Sequence, residues 1–245
     1  MIYGKLPVVF LSAVASEKKG STNSLIASYI LDHRQESLSM GIREIAETCH
    51  VSLSSVSRFC KDIGLNDFAE LKEILAADLS FQHCEGDLSH HINLAIDMAK
   101  RSVDKQLIHK LCREIRNHSK VAAFGLLKAE TAAINLQSDM LMLGKQIYTN
   151  ISYSQQMEYI MSADADDLII IFSYTGSYFD FNYFRGKEKN LKKPQIAMIA
   201  GNGCKVPDFA DIFIGFDSLQ DQLSHPWQLQ YIAGLIAQEY SKMKM

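Results

Sequence analysis

The chain has 245 residues, of which 47% are apolar, enough to pack one large or two small cores. Net charge is −3, and the first 78 residues carry eight Lys/Arg against ten Asp/Glu; this excludes a generally basic nucleic-acid binder and predicts modest, salt-dependent non-specific DNA affinity. No apolar run approaches the roughly 20 residues of a membrane span, and the five cysteines (49, 60, 84, 112, 204) form no CxxC pair and no zinc-type spacing with histidine, so reduced thiols in a cytoplasmic protein without metal or cofactor are expected.

In chain order, residues 5–16 read as a first helix with Val8, Val9, Leu11 and Val14 apolar. Leu6 to Val14 is too short, and too soon followed by charge, to read as a signal peptide. Residues 17–21 form a charged turn. Ser21, Thr22 or Asn23 caps a second helix with Leu25, Ile26, Tyr29, Ile30 and Leu31 on one face. Residues 32–41 read as a polar connection.

Residues 42–64 read as two short helices joined by a tight turn. Ile42, Ile45, Ala46 and Cys49 recur at helical spacing, and small Ala46 admits a close helix crossing. His50 and Val51 make the turn; glycine is usual at this position, and histidine tolerates the left-handed conformation better than most residues. Ser52 is a good N-cap. Val56, Phe59, Cys60 and Ile63 point inward in the second helix, and Gly64 ends it. The outward face is then Ser52, Ser54, Ser55, Ser57, Arg58 and Lys61, a short, polar, partly cationic surface suited to a major groove and its phosphates. The alternative is an ordinary helical hairpin with a solvated serine-rich face. Asn66 or Asp67 caps a further helix with Phe68, Leu71, Ile74 and Leu75 inward. The expected division is therefore an all-α helix-turn-helix domain (1–78), a linker (79–90) and a third segment (91–245).

The third segment begins with two helices, one around Ile92, Leu94, Ala95 and Met98, the other carrying Leu107 to Ile115. Strands and helices then alternate. Lys120 to Gly125, Asp167 to Ser173, Gln195 to Ala200 and Ile212 to Phe216 read as strands, and Gln146 to Tyr148 as strand-like. Glu130 to Leu143, Ser154 to Met161, a stretch from Ser177 and Pro226 to Lys242 read as helices. This alternation predicts a three-layer α/β/α domain with a mainly parallel sheet, whose ligands bind at the carboxyl ends of the strands. In the loop Ser173-Tyr174-Thr175-Gly176-Ser177, the hydroxyls of Ser173, Thr175 and Ser177, the amides around Gly176 and a following helix N-terminus converge on a point suited to phosphate. The plainer reading is a strand-to-helix turn with ordinary caps.

The stretch Ser52 to Gly64, preceded by Ile45-Ala46-Glu47 and followed by Phe68 and Leu71-Lys72, resembles the RpiR/MurR-type bacterial transcriptional regulators, whose pattern is close to S-x-x-T-V-x-R-F-C-K-x-L-G and then F-x-x-L-K. That resemblance implies a helix-turn-helix domain joined to a sugar isomerase (SIS) domain. It also implies binding to a double-stranded DNA operator, control of carbohydrate metabolism, a phosphosugar effector, and a homo-oligomer, dimer or tetramer. The family often has Ser-x-Ser-Gly-x-Thr after the buried strand. Ser173, Thr175 and Gly176 match it, Ser177 adds a hydroxyl, and Tyr178 stands at the last position. Its first-strand loop usually reads Gly-x-Gly-x-Ser. Gly125 matches, Leu127 and Ala129 depart, and Lys128 is either a replacement positive charge or a solvated side chain. The loop 201–205 lacks the usual serine. The implied ligand residues are Gly125, Lys128, Ser173, Thr175, Gly176 and Ser177, with no catalytic residue. Two alternatives stand beside the sensor: a SIS domain serving only dimerisation, and a sugar-phosphate isomerase or lyase, which needs an acid/base pair from Glu130, His225, His91 or His90.

Overall fold

In the computed structural model, the structure describes residues 10, 14, 17–77, 86–180, 191, 193–219, 221 and 223–243. Most of the helix expected over 5–16 and most of the expected linker lie outside the described residues, although Phe10 and Val14 are both helical. Among the described residues the N-terminal part is all-helical: α1 (Thr22–Asp32), α2 (Arg34–Ser39), α3 (Ile42–Thr48), α4 (Leu53–Asp62) and α5 (Phe68–Ala77). Ser21 is the cap of α1, its hydroxyl accepting from the Ser24 amide at 3.2 Å. Leu25, expected inward, is 46% exposed, while Ile26, Ala27 and Ile30 form the buried stripe. The connection expected over 32–41 is largely helix α2, whose polar composition gives no apolar period to read. Its carbonyl end is closed from outside: Lys72 on α5 donates to the carbonyls of Ser37 (3.0 Å), Leu38 and Met40 (2.7 Å). Ile45, Ala46, Val56, Phe59, Cys60, Ile63, Leu71 and Leu75 complete a core with Phe10, Ile26 and Ile30.

The second part opens with α6 (Leu88–Ser102), capped by Asp87 and so beginning inside the stretch expected as linker, and α7 (Lys105–Asn117). Ala95 and Ala99 are the buried positions of α6, and Leu94 is 39% exposed. Strands β1 (Lys120–Gly125), β2 (Asp167–Ser173), β3 (Gln195–Gly201) and β4 (Ile212–Phe216) pair in that order, all parallel. Helices α8 (Glu130–Met142) and α9 (Tyr153–Ser162) follow β1, and α10 (Trp227–Lys242) closes the chain. Tyr148 extends the sheet beside β1: its amide donates to the Val121 carbonyl and its carbonyl accepts from the Ala123 amide, both at 2.8 Å.

Successive residues of a strand face opposite sides. Val121, Ala123, Leu168, Ile170, Phe172, Ile199 and Ile214 therefore pack with α6, α7, α8 and α10. Ala122, Phe124, Ile169, Ile171 and Ile196 pack with Tyr153, Met157 and Ile160 of α9. Every residue of β2 is buried, which is why Leu168 to Phe172 between its two polar ends is a continuous apolar run and not an alternating one.

The turn between α3 and α4 is strained as its sequence implied. His50 has φ +54°, and the next amide, Val51, returns to the Ala46 carbonyl at 2.8 Å. His50→Val places a β-branched residue in this conformation and is expected to lower stability by about 1–3 kcal/mol, whereas His50→Gly holds it. Urea unfolding checks both; equal losses would show that the side chain's contacts, and not its φ, set the cost.

Candidate functional site

The helix-turn-helix is built by α3 and α4. Glu44 accepts from the Gly41 amide at 2.6 Å at the start of α3, and buried Ala46 provides the close crossing. At the start of α4 the Ser52 hydroxyl accepts from the Ser55 amide at 3.1 Å and lies 2.8 Å from the hydroxyls of both Ser54 and Ser55. At its end, Gly64 takes φ +82°, and the Leu65 amide donates to the Cys60 carbonyl at 2.8 Å, a left-handed helix stop that glycine makes without steric cost. Ser52, Ser54, Ser57, Arg58 and Lys61 are exposed, and Ser55 is half-buried. Leu53, absent from the sequence-based set, is 44% exposed beside them. Lys72 is not available to this surface, because α2's carbonyls hold its ammonium.

At the carboxyl ends of the sheet, register places Gly125 opposite Phe172, so the loops after β1 and β2 are neighbours. Gly125 admits no side chain: a Cβ there would lie 2.7 Å from the Ala129 backbone. Leu127 has φ +53°, so a leucine occupies a backbone state that favours glycine. Lys128 donates to the His225 carbonyl at 3.2 Å, and the His225 ring lies 4.4 Å from that of Tyr174. Lys128, the loop after β2 and the start of α10 therefore meet.

The loop after β2 differs from its expected form. No helix starts at Ser177: residues 177–180 are turn and coil. Ser173 is buried, its hydroxyl accepting from the Tyr178 amide at 3.2 Å, and its carbonyl accepts from the Gly176 amide at 2.9 Å. Thr175 and Ser177 pair hydroxyl to hydroxyl at 2.7 Å. Gly176 has φ +77°, and a Cβ on it would stand 2.5 Å from the Cβ of Cys204, so the loop after β3 is pressed against this turn. The expected convergence of three hydroxyls and free amides is thus partly spent within the loop: Ser173 braces the turn, while Thr175 and Ser177 are the half-exposed pair.

Beneath these loops runs a buried polar chain that the sequence reading did not anticipate. Glu130 accepts from the Gly125 amide (3.2 Å), the Gln156 amide nitrogen (2.8 Å) and the Thr149 hydroxyl (3.0 Å). Gln156 Oε1 accepts from the Tyr178 phenol at 2.7 Å. The available signal was Gln156 itself, which falls in the apolar stripe Tyr153, Met157, Ile160. Burial pushes the Glu130 carboxyl up to about 7, against the partial relief of its three donors. His225 is pulled down to about 3, first by burial and then by the Lys128 charge, and stays neutral. His91 faces Asp221 at 3.4 Å, and His90 is exposed on the first turn of α6. A cavity of about 210 Å³ lies by the ends of β3 and β4, lined by Met98, Tyr174, Asn202, Phe216, Asp217 and Ser218. The Asp217 carboxylate makes it a poor phosphate receptor.

Among known proteins, residues 11–82 match the model of the helix-turn-helix domain of the rpiR family. An HTH-type transcriptional regulator of Providencia stuartii is 23% identical over 190 residues, covering 71% of this chain and 67% of its own length. HexR of Pseudomonas aeruginosa, also an HTH-type transcriptional regulator, is 22% identical over 166 residues, covering 62% of this chain and 58% of its own. The chain therefore spans about two thirds or less of these relatives. The Vibrio vulnificus NanR structure, solved with ManNAc-6P, superimposes with a TM-score of 0.55 at 13% identity, over 98% of this chain and 92% of NanR. With a helix-turn-helix followed by a parallel α/β sheet, the chain is similar in sequence and architecture to HTH-type transcriptional regulators. Residues 11–82 thus match a helix-turn-helix domain of the rpiR family.

Glu130 makes one pH dependence testable. Unfolded, its carboxyl ionises near its ordinary 4.5; folded, near 7. Between those values the native state holds a proton that the unfolded state has released. The stabilisation is complete below about pH 4.5 and is lost as pH rises through about 7, amounting to about 3 kcal/mol. In parallel urea titrations from pH 5 to 8, wild type is expected to lose stability relative to Glu130→Gln; parallel curves would place the carboxyl's titration outside this window.

Proposed function

We propose that this regulator binds a double-stranded DNA operator through α4 as a homo-oligomer and that its α/β part is a SIS domain sensing a phosphorylated sugar, in control of carbohydrate metabolism. The observation that carries this reading is the pairing of an outward α4 face with a fold shared end to end with NanR, a protein solved with a sugar phosphate. In this reading residues 1–78 are the DNA-binding unit and 91–245, with the first turn of α6, the sensor, joined through the intervening stretch, in the cytoplasm. Ser52, Ser54, Ser55, Ser57, Arg58 and Lys61 form or support the DNA surface. Gly125 and Gly176 allow close backbone approach, Lys128 supplies charge, Thr175 and Ser177 offer hydroxyls, and Ser173 shapes the turn.

Oligomerisation is supported from two directions. One helix-turn-helix reads a half-site, which favours pairing. In addition, Ile134, Leu141, Met142, Tyr148 and Ile151 leave an apolar surface at the β1 edge, next to a groove of about 680 Å³. An enzymatic reading is disfavoured because Glu130 and His225 are 6% and 3% exposed and so do not face a substrate. A second reading keeps DNA binding and gives the SIS domain dimerisation alone; the Leu127 conformation and the internally bonded turn at Ser173 favour it.

Fluorescence anisotropy on DNA from upstream of the chain's own operon, with and without a panel of hexose and amino-sugar phosphates, tests the proposal. One sugar phosphate is expected to shift DNA affinity and to raise the melting temperature, a ligand at 100 times its Kd adding about 2.7 kcal/mol. Specific binding that no sugar phosphate changes would establish the dimerisation-only reading. Arg58→Ala is expected to weaken operator binding roughly tenfold, as for a lost hydrogen bond to a charged group, with melting unchanged. Light scattering at micromolar concentration is expected to give a dimer or larger; a monomer with and without DNA would overturn the oligomer.

A further inference from the structure

The DNA-facing surface of α4 divides into residues that build the helix and residues that face out of it. Ser52, Ser54 and Ser55 belong to the first group. Their hydroxyls are joined at 2.8 Å, and the Ser52 oxygen also takes the Ser55 amide. This knot serves as an N-cap, and its hydrogen-bonding capacity is largely spent. At 100° per residue, Ser54, Arg58 and Lys61 stand opposite buried Val56, Phe59, Cys60 and Ile63, while Leu53 and Ser57 lie at one margin of that outward face, Leu53 next to Cys60. Arg58 and Lys61 lie in the second half of the helix; Leu53 is its first residue.

Leu53, at the margin of that face and on the first turn of α4, is the one large apolar side chain of the helix that is exposed, at 44%. A recognition helix contacts base edges with its N-terminal residues. In the major groove the apolar feature of a base pair is the thymine 5-methyl group, and aliphatic side chains read it by contact. No Asn or Gln stands on α4 to make the bidentate contact that specifies adenine, and its one acidic residue, Asp62, is the last of the helix and accepts from Asn23 at 3.1 Å.

Resting on the proposal that α4 binds operator DNA, we infer that Leu53 is a specificity-determining residue that recognises a thymine methyl group in each half-site, with the serine knot acting as the cap that positions it. The methyl group slides onto the leucine side chain and both leave water. Each contact is then worth about one buried methyl group, or about fourfold in affinity.

The test uses the full-length chain and a duplex enriched from a random-sequence library by the wild-type protein. Each dT in the enriched site is replaced singly by dU, which removes the 5-methyl group and keeps every hydrogen-bonding atom. For wild type, one dT per half-site is expected to lose about fourfold in affinity on replacement. For Leu53→Ala the dT and dU duplexes are expected to bind alike at that position, and for Leu53→Met, which keeps an apolar chain, the dU penalty is expected to remain. Leu53 is exposed, so both variants should melt with the wild type; if Leu53→Ala does not fold, Leu53→Gln gives the same comparison. An enriched site in which no dU substitution weakens wild type, or in which Leu53→Ala keeps the wild-type penalty, overturns the assignment while leaving DNA binding intact. Failure of wild type to enrich any sequence overturns the DNA-binding reading and this inference with it.

Discussion

The α/β part depends on β2. All seven of its residues are buried, with β1 and β3 bonded to its two edges and helices over both faces. The interior of a strand so enclosed, here Leu168 to Phe172, is continuously apolar, and it cannot slip by a residue without exchanging every side chain between two packed faces. Its register therefore fixes where the neighbouring strands end, and with them the loops at Gly125 and Ser173 and the turn at Gly201. The buried Glu130–Gln156–Tyr178 chain lies under that rim and ties the first two loops to α9. The loops are thus supported from beneath by hydrogen bonds that exist without a ligand.

The helical part rests on a smaller constraint of the same kind. Ala46 is small and buried, and its carbonyl receives the amide that follows the strained His50 turn. Helix α4 consequently leaves α3 at a fixed angle and buries Val56, Phe59 and Cys60. The rest of its surface is then outward by geometry. Burial in this core also pushes the Cys60 thiol up to about 12, so it behaves as an inert apolar group.

Much of this was legible in the residues. The ranges of β1, β2 and β4, the α3–α4 pair, the Ser52 cap and the Gly64 stop follow from periodicity and caps, which are local properties. Helix α2 was missed because a polar six-residue helix has no apolar period, and Lys72, 35 residues from Ser37 in the chain, closes its end. The loop after β2 was only half legible: its residue types suggested a ring of open donors, but whether Ser173 faces a ligand or the Tyr178 amide is settled by how the chain folds back. Leu25 was placed on the apolar face of its helix because composition alone does not separate the centre of an apolar stripe from its margin. Gln156 interrupts an apolar stripe and marks a buried polar network, a signal present in the sequence and passed over.

The position of Lys72 has a consequence for how the protein distributes itself in a cell. An ammonium bound by three carbonyl oxygens releases no condensed ions from a DNA backbone, so a domain already net negative loses one of its few cations. Sequence-independent adhesion scales with the number of phosphates neutralised, and holding Lys72 inside the domain lowers that number. The millions of non-target base pairs in a chromosome then act as a shallow sink. For a protein that binds an operator through α4 as proposed, operator occupancy then tracks the total number of molecules, with little buffering by the genome.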